Sequence, residues 1–458
     1  MAGLVPAIHI LYPDEDLLGR GVKPGDDTFM KQPLRIAIAG IGTVGGGVLK
    51  ALHARGRDLA ERAERRLEIV AVSARDRQKM RAADVSGFPW VADPVALAKT
   101  DADVVVELIG GEEGVARELV EASLVAGKHV VTANKALLAH HGARLAKMAE
   151  DRGLALKFEA AAAGGIPIVK ALRESLIAHG IVSVRGILNG TCNYILTNME
   201  KTERSFDEVL KEAQDLGYAE ADPELDVGGG DTAHKLAILS SLAFGTGPDL
   251  EHMLVEGIEK ITLDDIGYAR EFGYRIKLLG VTRRIGNGID QRVQPAMVRL
   301  GGPLADVDGP FNAVVADAGV AGPFIFEGRG AGEGPTASAV IADLVDIALG
   351  SFEPAFGKPA HTLGPLNPAS AEAVTSAYYL RFEVLDVPGV LAEIAGHLAE
   401  FRVSIGSMLQ RARAPGEPVA IVMLTHDTPQ VAAAAALKAI AASDKVLAPP
   451  IMIPMETG

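Results

Sequence analysis

Short apolar runs alternate with longer segments of helical periodicity over residues 30–160 of the chain. Strands of a parallel sheet are covered by helices on both faces, so they are apolar throughout and do not alternate with polar positions. The alternation of strands and helices predicts an α/β fold with a doubly wound parallel sheet, whose ligand crevice lies at the carboxyl ends of the strands. The predicted strands are residues 34–39, 68–72, 103–109, 129–135 and 155–159.

The pattern changes after residue 160, where long helical runs mix with fewer strands. We interpret this stretch as an α+β substrate-binding and dimerisation domain. A glycine-rich loop and an apolar helix follow at residues 328–349, and we expect this helix to pack back onto the parallel sheet. The predicted helices of the middle stretch are 166–179, 206–216 and 232–244, and its predicted strands include 183–188 and 292–300.

The end of the chain follows a βαββαβ order, after a proline-rich stretch with little periodicity. This order predicts a separate small module. The predicted division of the chain is 1–29 as a disordered or wrongly assigned N-terminal extension, 30–160 as the doubly wound domain completed by 331–350, 161–330 as the substrate domain, 351–375 as a linker and 376–458 as the C-terminal module.

Composition excludes several function classes. The 458-residue chain has a net charge of −14, which argues against nucleic acid binding through a broad basic face. No apolar run reaches the length of a transmembrane helix, and the first residues lack the basic and apolar regions of a signal peptide. The single cysteine, Cys192, excludes an intrachain disulfide and suits a reducing compartment. We therefore expect a cytoplasmic protein without membrane or nucleic acid partners.

A glycine-rich motif directly follows the first predicted strand and opens a helix. Gly40, Gly42 and Gly45 form a G-x-G-x-x-G pattern that includes Thr43 and Val44. Such glycines permit a tight turn and a close backbone approach to a pyrophosphate, which the N-terminus of the following helix attracts. This context predicts dinucleotide binding, and the alternative is a plain glycine-rich turn between strand and helix.

The end of the second strand bears on which dinucleotide binds. NAD sites usually place an acidic residue there for the ribose 2′-hydroxyl, whereas an arginine accommodates a 2′-phosphate. Here Ser73 takes the acidic place and Arg75 and Arg77 follow, although Asp76 could still serve the ribose. The sequence favours NADP(H) as the cofactor and leaves NAD(H) open.

An acidic, glycine-rich run at residues 217–235 leads into an apolar helix and ends on Lys235. Asp231 and Lys235 are four residues apart, a spacing that places both side chains on one face of a helix. A lysine held among carboxylates can deliver a proton. The alternative is a solvated acidic loop in which Asp231 caps the helix.

A second lysine, Lys135, closes the fourth predicted strand after Asn134, at the edge of the sheet that binds ligands. We expect it to face Lys235, and the alternative is a surface lysine at a strand end. Repulsion between facing lysines would lower the pKa of one of them, and nearby acids would oppose this shift. We interpret Cys192 as an apolar filler and His234 as structural, and no residues show the spacing of a catalytic zinc site.

Six motifs in the same order resemble the homoserine dehydrogenase family, from residue 34 to the end. They read G-I-G-T-V-G, V-V-T-A-N-K, F-E-A-A-A-A-G-G-I-P-I, N-G-T-C-N-Y-I-L, G-Y-A-E-A-D-P-E-L-D-V-G-G-G-D-T-A-H-K and G-A-G-E-G-P-T-A-S-A-V. The resemblance implies a Rossmann-type nucleotide domain and the reversible, NAD(P)-dependent interconversion of L-homoserine and L-aspartate 4-semialdehyde, on the route to threonine, methionine and isoleucine. The alternatives are a catalytically inactive NADP-binding amino-acid sensor and a dehydrogenase for a related amino acid.

The resemblance also implies roles for single residues. Lys235 takes the position of the family's proton-donating lysine, Lys135 that of the second active-site lysine and Asp231 that of a carboxylate beside them. The implied substrate-binding residues are Glu220 and Gly217, and Asp226 is a further substrate-binding candidate whose alternative role is to shape the loop. The resemblance implies Gly332 as a cofactor contact, and Arg75, Gly110 and Lys135 are the further predicted cofactor contacts besides the glycine loop.

The resemblance further implies a structural site for Na⁺ or another monovalent cation. Its ligands would be the carboxylate of Glu159 and the backbone carbonyls of Ala162, Gly164 and Ile166. Oxygen donors of this kind suit a hard cation. The alternative for Glu159 is a hydrogen-bonded buried acid.

The C-terminal module resembles an ACT domain, on its βαββαβ order and on the motif D-V-P-G-V after its first strand. Asp386, Gly389 and Val390 lie there at the start of a helix, whose N–H groups can bind a carboxylate. The resemblance implies threonine as a feedback inhibitor and a homodimer or homotetramer. The alternative is a dimerisation module without a ligand.

Overall fold

The computed structural model describes residues 31–81, 83–178, 180–410 and 418–456, so the predicted N-terminal extension, 1–29, lies outside the described residues. The predicted parallel sheet is confirmed. Its strands are β1 (Leu34–Ala39), β2 (Leu67–Ser73), β3 (Val104–Glu107), β4 (His129–Thr132) and β5 (Leu156–Lys157). They lie in the order β2-β1-β3-β4-β5, all parallel. The order reverses between β1 and β3, which opens the ligand crevice at their carboxyl ends.

Three strands of the parallel sheet end two or three residues earlier than the apolar pattern indicated, namely β3, β4 and β5, which stops at Lys157 instead of residue 159. β3 stops at Glu107, whose carboxylate accepts backbone N–H groups of the next residues and turns the chain out of the sheet. β4 stops at Thr132, and Lys135 is the first residue of a helix instead of the last residue of a strand. The helix begins there because Asn134 caps it, with its side-chain oxygen accepting the N–H of Leu137 at 3.1 Å.

The helices cover both faces of this sheet and build the middle and end of the chain. In chain order they are α1 (Thr43–Ala63), α2 (Val115–Val125), α3 (Lys135–Glu150), α4 (Ala160–Ala163), α5 (Ile168–Lys170) with a π-helical turn (Ala171–Ser175), α6 (Gly190–Thr202), α7 (Phe206–Asp215), α8 (Glu224–Val227), α9 (Gly230–Phe244), α10 (Leu263–Glu271), α11 (Glu333–Leu349), α12 (Val390–Glu400) and α13 (Gln430–Ile440). Short 3₁₀ turns lie at Pro94–Lys99, Gly319–Ala321 and Ala360–Thr362.

A second sheet of 11 strands runs through the rest of the chain. Its strands are β6 (Ser183–Ile187), β7 (Leu254–Val255), β8 (Tyr274–Ile285), β9 (Gly288–Arg299), β10 (Phe311–Asp317), β11 (Pro323–Arg329), β12 (Thr375–Leu385), β13 (Ile405–Gln410), β14 (Pro418–Thr425), β15 (Thr428–Pro429) and β16 (Ile451–Glu456). The order is β11-β10-β6-β8-β9-β16-β12-β14-β13, with β7 on β9 and β15 on β12. The predicted βαββαβ module is therefore present, but its sheet continues that of the substrate domain.

The join between the two parts of this sheet is a parallel pairing of β16 with β9, where Met455 lies opposite Met297. β9 begins four residues before the predicted strand 292–300, at Gly288. Its first half was hidden by polar residues that are nevertheless buried, because Asp290 pairs with Arg292 and with Arg283 of β8.

The apolar helix after the late glycine loop packs back onto the parallel sheet, as predicted. Val340 of α11 lies in one core cluster with Ile36 and Val48 of the first βα unit. The two helices α1 and α11 approach so closely at Gly47 that a side chain there would lie 2.7 Å from Glu333. The parallel sheet is thus completed by a helix that follows much later in the chain.

The proline-rich stretch predicted as a linker is held against the doubly wound domain and, at Asn367 and Ala369, against Ile289 of β9. Phe356 is fully buried and packs on Phe158 with ring centroids 5.0 Å apart. Gly142 makes room for this ring, since a side chain there would lie 2.7 Å from it. No helix among the described residues is both long and apolar enough to span a membrane.

Two buried acids connect the start of α4 to α11. The backbone N–H of Glu159 donates to Asp343 Oδ2 at 2.8 Å, and both side chains are almost inaccessible. Burial, and then the nearby charge of Glu159, raises the pKa of Asp343 to about 7. A carboxyl group with this pKa binds a proton more tightly in the folded protein than in the unfolded chain.

We expect the Asp343 carboxyl to weaken the fold as the pH rises. The free energy of unfolding should decrease as the pH rises from the ordinary pKa of a carboxyl group to about 7. In this window Asp343 still holds its proton in the folded protein, whereas in the unfolded chain the carboxyl group has already lost it. The substitution Asp343→Asn keeps an oxygen that accepts the Glu159 N–H but never ionises. The variant should melt at a higher temperature than the wild type at pH about 8, and its Tm should depend less on pH between about 5 and 8.

The matched control is Asp346→Asn on the same helix. Asp346 is paired with Lys170, with both its oxygens 2.8 Å from the ammonium nitrogen, so its removal should lower Tm without flattening the pH dependence. A wild-type slope in Asp343→Asn would contradict the assignment.

Candidate active site

A cavity of about 250 Å³ lies in the crevice at the carboxyl ends of the parallel strands. One wall belongs to the doubly wound domain and contributes Val44, Gly110 and Lys135. The opposite wall contributes Lys235 of α9 and Ala331 of the late glycine loop. The structure therefore brings the predicted glycine loop, both predicted lysines and the late loop to one place.

Asp231 lies at the centre of this group. Its Oδ1 is 2.9 Å from the ammonium nitrogen of Lys135, and its Oδ2 is 2.7 Å from that of Lys235. The carboxylate is buried, with the side chain only 6% exposed. One carboxylate thus joins two lysines that come from different domains.

The structure contradicts the alternative in which Asp231 caps a helix. α9 begins two residues earlier than predicted, its N-cap is Gly229, and no side chain bonds to its first turn from the cap position. Asp231 lies inside the first turn, where the helix dipole favours an anion and the carboxylate is free to face the crevice. Lys135 is likewise no isolated surface lysine, because it pairs with this carboxylate.

The charges of this group shift one another's pKa values. Burial alone would raise the pKa of Asp231, but the ammonium groups of Lys235 and Lys135 outweigh burial and hold that pKa well below its usual range. Burial would lower the pKa of Lys135, but Asp231 above all, with Asp226 and Glu220, raises it. The acids therefore outweigh burial at Lys135, and Asp231 stays ionised.

Lys235 is held from two sides. Its ammonium group donates to Asp231 and, at 2.7 Å, to the backbone carbonyl of Leu188. A lysine has three N–H donors. Among the described residues these two bonds leave the third N–H of Lys235 for other groups, such as a bound substrate.

Asn189 is a site residue that the sequence reasoning missed. Its side-chain nitrogen donates to Asp226 Oδ1 at 2.7 Å and to Asp231 Oδ2 at 2.9 Å. Its oxygen accepts the N–H of Cys192 at 2.8 Å and so caps α6. The motif N-G-T-C-N-Y-I-L contained the signal, since an asparagine that opens a helix often caps it.

Asp226 and Cys192 are both hydrogen-bonded to Asn189. Burial, partly offset by the bond from Asn189, raises the pKa of Asp226. The thiol of Cys192 is fully buried, donates to the Asp226 carbonyl at 3.2 Å, and has a pKa raised well above its ordinary value by burial. These contacts agree with the interpretation of Cys192 as an unreactive filler.

The other two predicted substrate-binding residues lie on an exposed loop. Gly217 follows α7 with a φ of +76°, and Glu220 comes three residues later. Gln214 holds the loop by donating to the Glu220 carbonyl at 3.1 Å. The Glu220 carboxylate makes no ion pair among the described residues, yet it is close enough to raise the pKa of Lys135.

The glycine loop fits a dinucleotide. Gly40 has a φ of +98°, and a side chain on Gly45 would lie only 2.1 Å from the Gly40 carbonyl, so the turn requires both glycines. Beside Gly42 no protein atom lies within 4 Å of a side-chain position, and no side chain caps α1 there. Open space and N–H groups at an uncapped helix start are what a pyrophosphate needs.

Glu107 shapes the facing side of the cofactor cavity. Its Oε1 accepts the N–H groups of Ile109 at 2.7 Å and Gly110 at 3.0 Å, and its Oε2 accepts the hydroxyl of Thr132 at 2.6 Å. Gly110, a predicted cofactor contact, has a φ of +86° in this turn. The sequence did not reveal this role of Glu107. A single acid at the end of an apolar run does not show which N–H and hydroxyl groups it will bind.

The residues that bear on cofactor choice lie beside the glycine loop. The Gly40 N–H donates to the Ser73 carbonyl at 2.9 Å, and Arg75 follows in an exposed position. Asp76 is engaged locally, because its Oδ1 accepts the Gln78 N–H at 2.8 Å. Both side chains are exposed here, and one oxygen of the acid is engaged by the backbone.

The late glycine loop closes the cavity from the other side. Gly332 has a φ of +119° and stands at the N-terminus of α11, next to the cavity-lining Ala331. Gly164 contacts this loop so closely that a side chain would lie 2.2 Å from the Gly330 carbonyl.

The predicted cation ligands lie close together in sequence around α4, and all four residues are buried. Glu159 Oε1 accepts the Val169 N–H at 3.0 Å, and Oε2 accepts the Lys170 N–H at 2.8 Å. These are the contacts of a hydrogen-bonded buried acid, which was the alternative interpretation. Burial, partly offset by the two bonds, raises the pKa of Glu159. The residues that would supply carbonyl groups lie in the following turn, at Ala162, Gly164 and Ile166.

The predicted effector residues lie far along the second sheet, at the start of α12. Gly389 is the N-cap residue with a φ of +93°, and Val390 is the buried first residue of the helix. Asp386 is partly buried in the loop between β12 and α12. A larger cavity, of about 410 Å³, lies where β16 meets the substrate domain and is lined by Arg185 and Glu456 among others. None of the predicted site residues lines it.

Comparison with known proteins supports the resemblance over almost the whole chain. A family model described as "Homoserine dehydrogenase, NAD binding domain" matches residues 40–159, one described as "Homoserine dehydrogenase" matches 167–345, and one described as "ACT domain" matches 378–443. A homoserine dehydrogenase of Neisseria gonorrhoeae is 45% identical over 93% of this chain and 99% of that protein. One of Pseudomonas aeruginosa is 42% identical over the same shares of the two chains.

Solved structures agree with the sequence comparison. The crystal structure of a homoserine dehydrogenase from Thiobacillus denitrificans matches with a TM-score of 0.87 and 44% identity, over 94% of this chain and 100% of that one. A homoserine dehydrogenase from S. aureus matches with a TM-score of 0.72 and 32% identity, over 93% of this chain and 99% of that one. The chain belongs to the homoserine dehydrogenase family.

Proposed function

We propose that this chain catalyses the reversible, NAD(P)-dependent interconversion of L-homoserine and L-aspartate 4-semialdehyde. One observation carries the proposal: Asp231 joins Lys135 and Lys235 across a crevice whose wall is the dinucleotide-type glycine loop. The alternative of an inactive amino-acid sensor has no comparable support, since a sensor needs no proton donor beside the cofactor cavity. A dehydrogenase for a related amino acid is disfavoured by the full set of acids at this place.

Lys235 is proposed to exchange a proton with the substrate oxygen. When bound, NAD(P) supplies or accepts the hydride at the carbon that carries this oxygen. Lys235 is fixed by Asp231 and the Leu188 carbonyl, so its remaining N–H is pre-oriented to protonate the aldehyde oxygen during reduction. During oxidation the side chain of Lys235 takes the hydroxyl proton, and because oxidation releases a proton, the equilibrium in this direction should become more favourable as the pH rises.

The other residues are proposed to hold the two charged ends of the substrate. Glu220, Asp226 and Asp231 attract its ammonium group, and Lys135 attracts its carboxylate. The pKa of Lys135 is raised by the acids, so this side chain stays an ammonium group over the working pH range. Gly217 gives the loop that carries Glu220 its turn.

Lys235→Ala tests the proton-transfer role. We expect kcat to fall by about 10²–10⁴-fold, the usual contribution of a positioned acid or base, with a much smaller change in KM. The measurement is steady-state turnover of homoserine, followed by nicotinamide absorbance across a range of pH. Lys211→Ala is the control, because Lys211 is an exposed lysine paired with Asp215 on α7. Near-normal turnover of Lys235→Ala would refute the role.

We further propose NADP(H) as the preferred cofactor, with NAD(H) as the second. Arg75 lies exposed beside the glycine loop, where it can bind a 2′-phosphate, while Asp76 is engaged with the backbone of Gln78. Gly110 and Gly332 are proposed as further contacts of the bound dinucleotide, one on each side of the cavity.

Arg75→Ala tests the cofactor preference. A charged hydrogen bond is worth about 1.5–3 kcal/mol, so the loss of this arginine should raise the KM for NADPH by about tenfold or more. The KM for NADH should stay within about twofold, because NADH lacks the 2′-phosphate that the arginine would bind. Arg57→Ala on the exposed face of α1 serves as the control. An unchanged KM for NADPH would show the assignment to be wrong.

A monovalent cation is proposed to bind at Glu159 and the carbonyl groups of Ala162, Gly164 and Ile166. The support is chemical: a buried carboxyl group with a raised pKa lies beside a turn of buried backbone. A cation there would offset the burial of the carboxylate, which two N–H bonds alone do not fully compensate.

The C-terminal module is proposed to bind threonine and to take part in a homodimer or homotetramer. The support is its match to the ACT model and the helix start at Gly389, which offers N–H groups to a carboxylate. β13 is the last strand of the sheet and is largely exposed, so a second copy can pair beside it.

Threonine should lower the turnover rate and raise Tm in the same concentration range, because a ligand that binds only the folded state stabilises it. The measurement is a threonine titration of rate and of melting temperature. Valine, which has the same shape but no hydroxyl, is the control and should have little effect. If threonine changed neither quantity, the module would serve in dimerisation alone.

A further inference from the structure

Three potential metal ligands meet at one edge of the crevice, beside the group formed by Asp231 and the two lysines. Glu112, His140 and His234 each place one ligand atom within 4.8 Å of the other two. Glu112 Oε2 lies 2.9 Å from His140 Nε2, and the rings of His140 and His234 have their centroids 5.6 Å apart, edge to face. Two imidazoles and one carboxylate are the protein ligands of well-known zinc sites that keep one position open.

The separations suit a tetrahedral ion. Zinc binds nitrogen and oxygen at about 2.0–2.2 Å, so neighbouring ligands of a tetrahedron lie about 3.4 Å apart. With ligand atoms no more than 4.8 Å from one another, the cluster needs only a contraction that a rotamer adjustment can supply. The side chains of His140 and Glu112 are 38% and 50% exposed, so they can make that adjustment without disturbing the core.

His234 is available as a neutral ligand. Its Nδ1 is buried and has no hydrogen-bond partner among the described residues. Burial, and then the charge of His140, lowers the pKa of His234, which favours the unprotonated imidazole that a metal requires. Of the other charges that act on this ring, Lys135 repels a cation, whereas Asp231 and Glu112 attract one.

We propose that Glu112, His140 and His234 bind a divalent transition-metal ion of the zinc class and that the bound ion slows the enzyme. Glu112 and His140 belong to the wall that carries the glycine loop, and His234 precedes Lys235 on the opposite wall. The ion therefore ties the two walls together. It also places its positive charge within electrostatic reach of Asp231, which is proposed to attract the ammonium group of the substrate. The inhibitory part of this proposal rests on the proposed dehydrogenase function, whereas metal binding does not.

The sequence did not reveal this cluster. Its three residues lie 28 and 94 residues apart along the chain, so no motif spacing joins them. The sequence contains no motif with the spacing of a catalytic zinc site. The cluster forms only because α9, which carries His234, approaches α3, which carries His140.

The test compares His140→Gln with His141→Gln in the full-length protein after treatment with a chelator. His141 is the next residue on α3, but it pairs with Glu113 at 2.7 Å and lies outside the cluster. Zinc binding is measured by calorimetry, and Co²⁺ serves as a spectroscopic probe through its visible ligand-field bands. Glu112→Gln is a second variant, chosen because its side chain is exposed and its loss should not affect folding.

We expect the wild type and His141→Gln to bind one zinc ion per chain with equal affinity. His140→Gln and Glu112→Gln should bind at least about tenfold more weakly, since even an outer partner of a metal ligand contributes about 10–100-fold to affinity. Zinc should lower the turnover of the wild type and of His141→Gln at concentrations that leave His140→Gln active. Equal zinc binding by His140→Gln and the wild type would overturn the site, and binding without inhibition would overturn its regulatory effect.

Discussion

The carboxylate of Asp231 is the constraint on which the crevice depends. A buried charge is tolerated only when it is paired and hydrogen-bonded, and Asp231 achieves this with Lys135, Lys235 and Asn189. Removing the carboxylate would leave two ammonium groups facing each other, and removing either lysine would leave a poorly compensated buried anion. The same ion pairs therefore hold the two walls at the distance that the proposed chemistry requires.

Two polar side chains of the crevice each make several hydrogen bonds. Asn189 caps a helix with its oxygen while its nitrogen bridges Asp226 and Asp231. Glu107 holds two backbone N–H groups of the cofactor turn and the hydroxyl of Thr132. Because each such residue fixes both backbone and side chain, the site is positioned by hydrogen bonds that are already complete before a ligand binds.

The second sheet connects the crevice to the C-terminal module without a break. β16 pairs with β9, and α9, which carries Asp231 and Lys235, packs on the same sheet through Leu236 and Val293 of the shared core. A ligand that moves the C-terminal strands would therefore act on a sheet that supports this helix. The contact of the proline-rich stretch with the start of α4 ties the parallel sheet to the same body.

The sequence by itself determined the parallel sheet, the glycine loop, the C-terminal module and the approach of the two lysines to one crevice, because local periodicity and motif order carry that information. It did not determine where β3 and β4 end, since Glu107 and Asn134 stop those strands through hydrogen bonds that an apolar pattern does not show. Only the tertiary structure decided that Asp231 binds both lysines instead of capping a helix, that Asn189 belongs to the site and that a carboxylate and two histidines meet beside it. Each of these depends on distances between segments far apart in the chain, which no local pattern encodes.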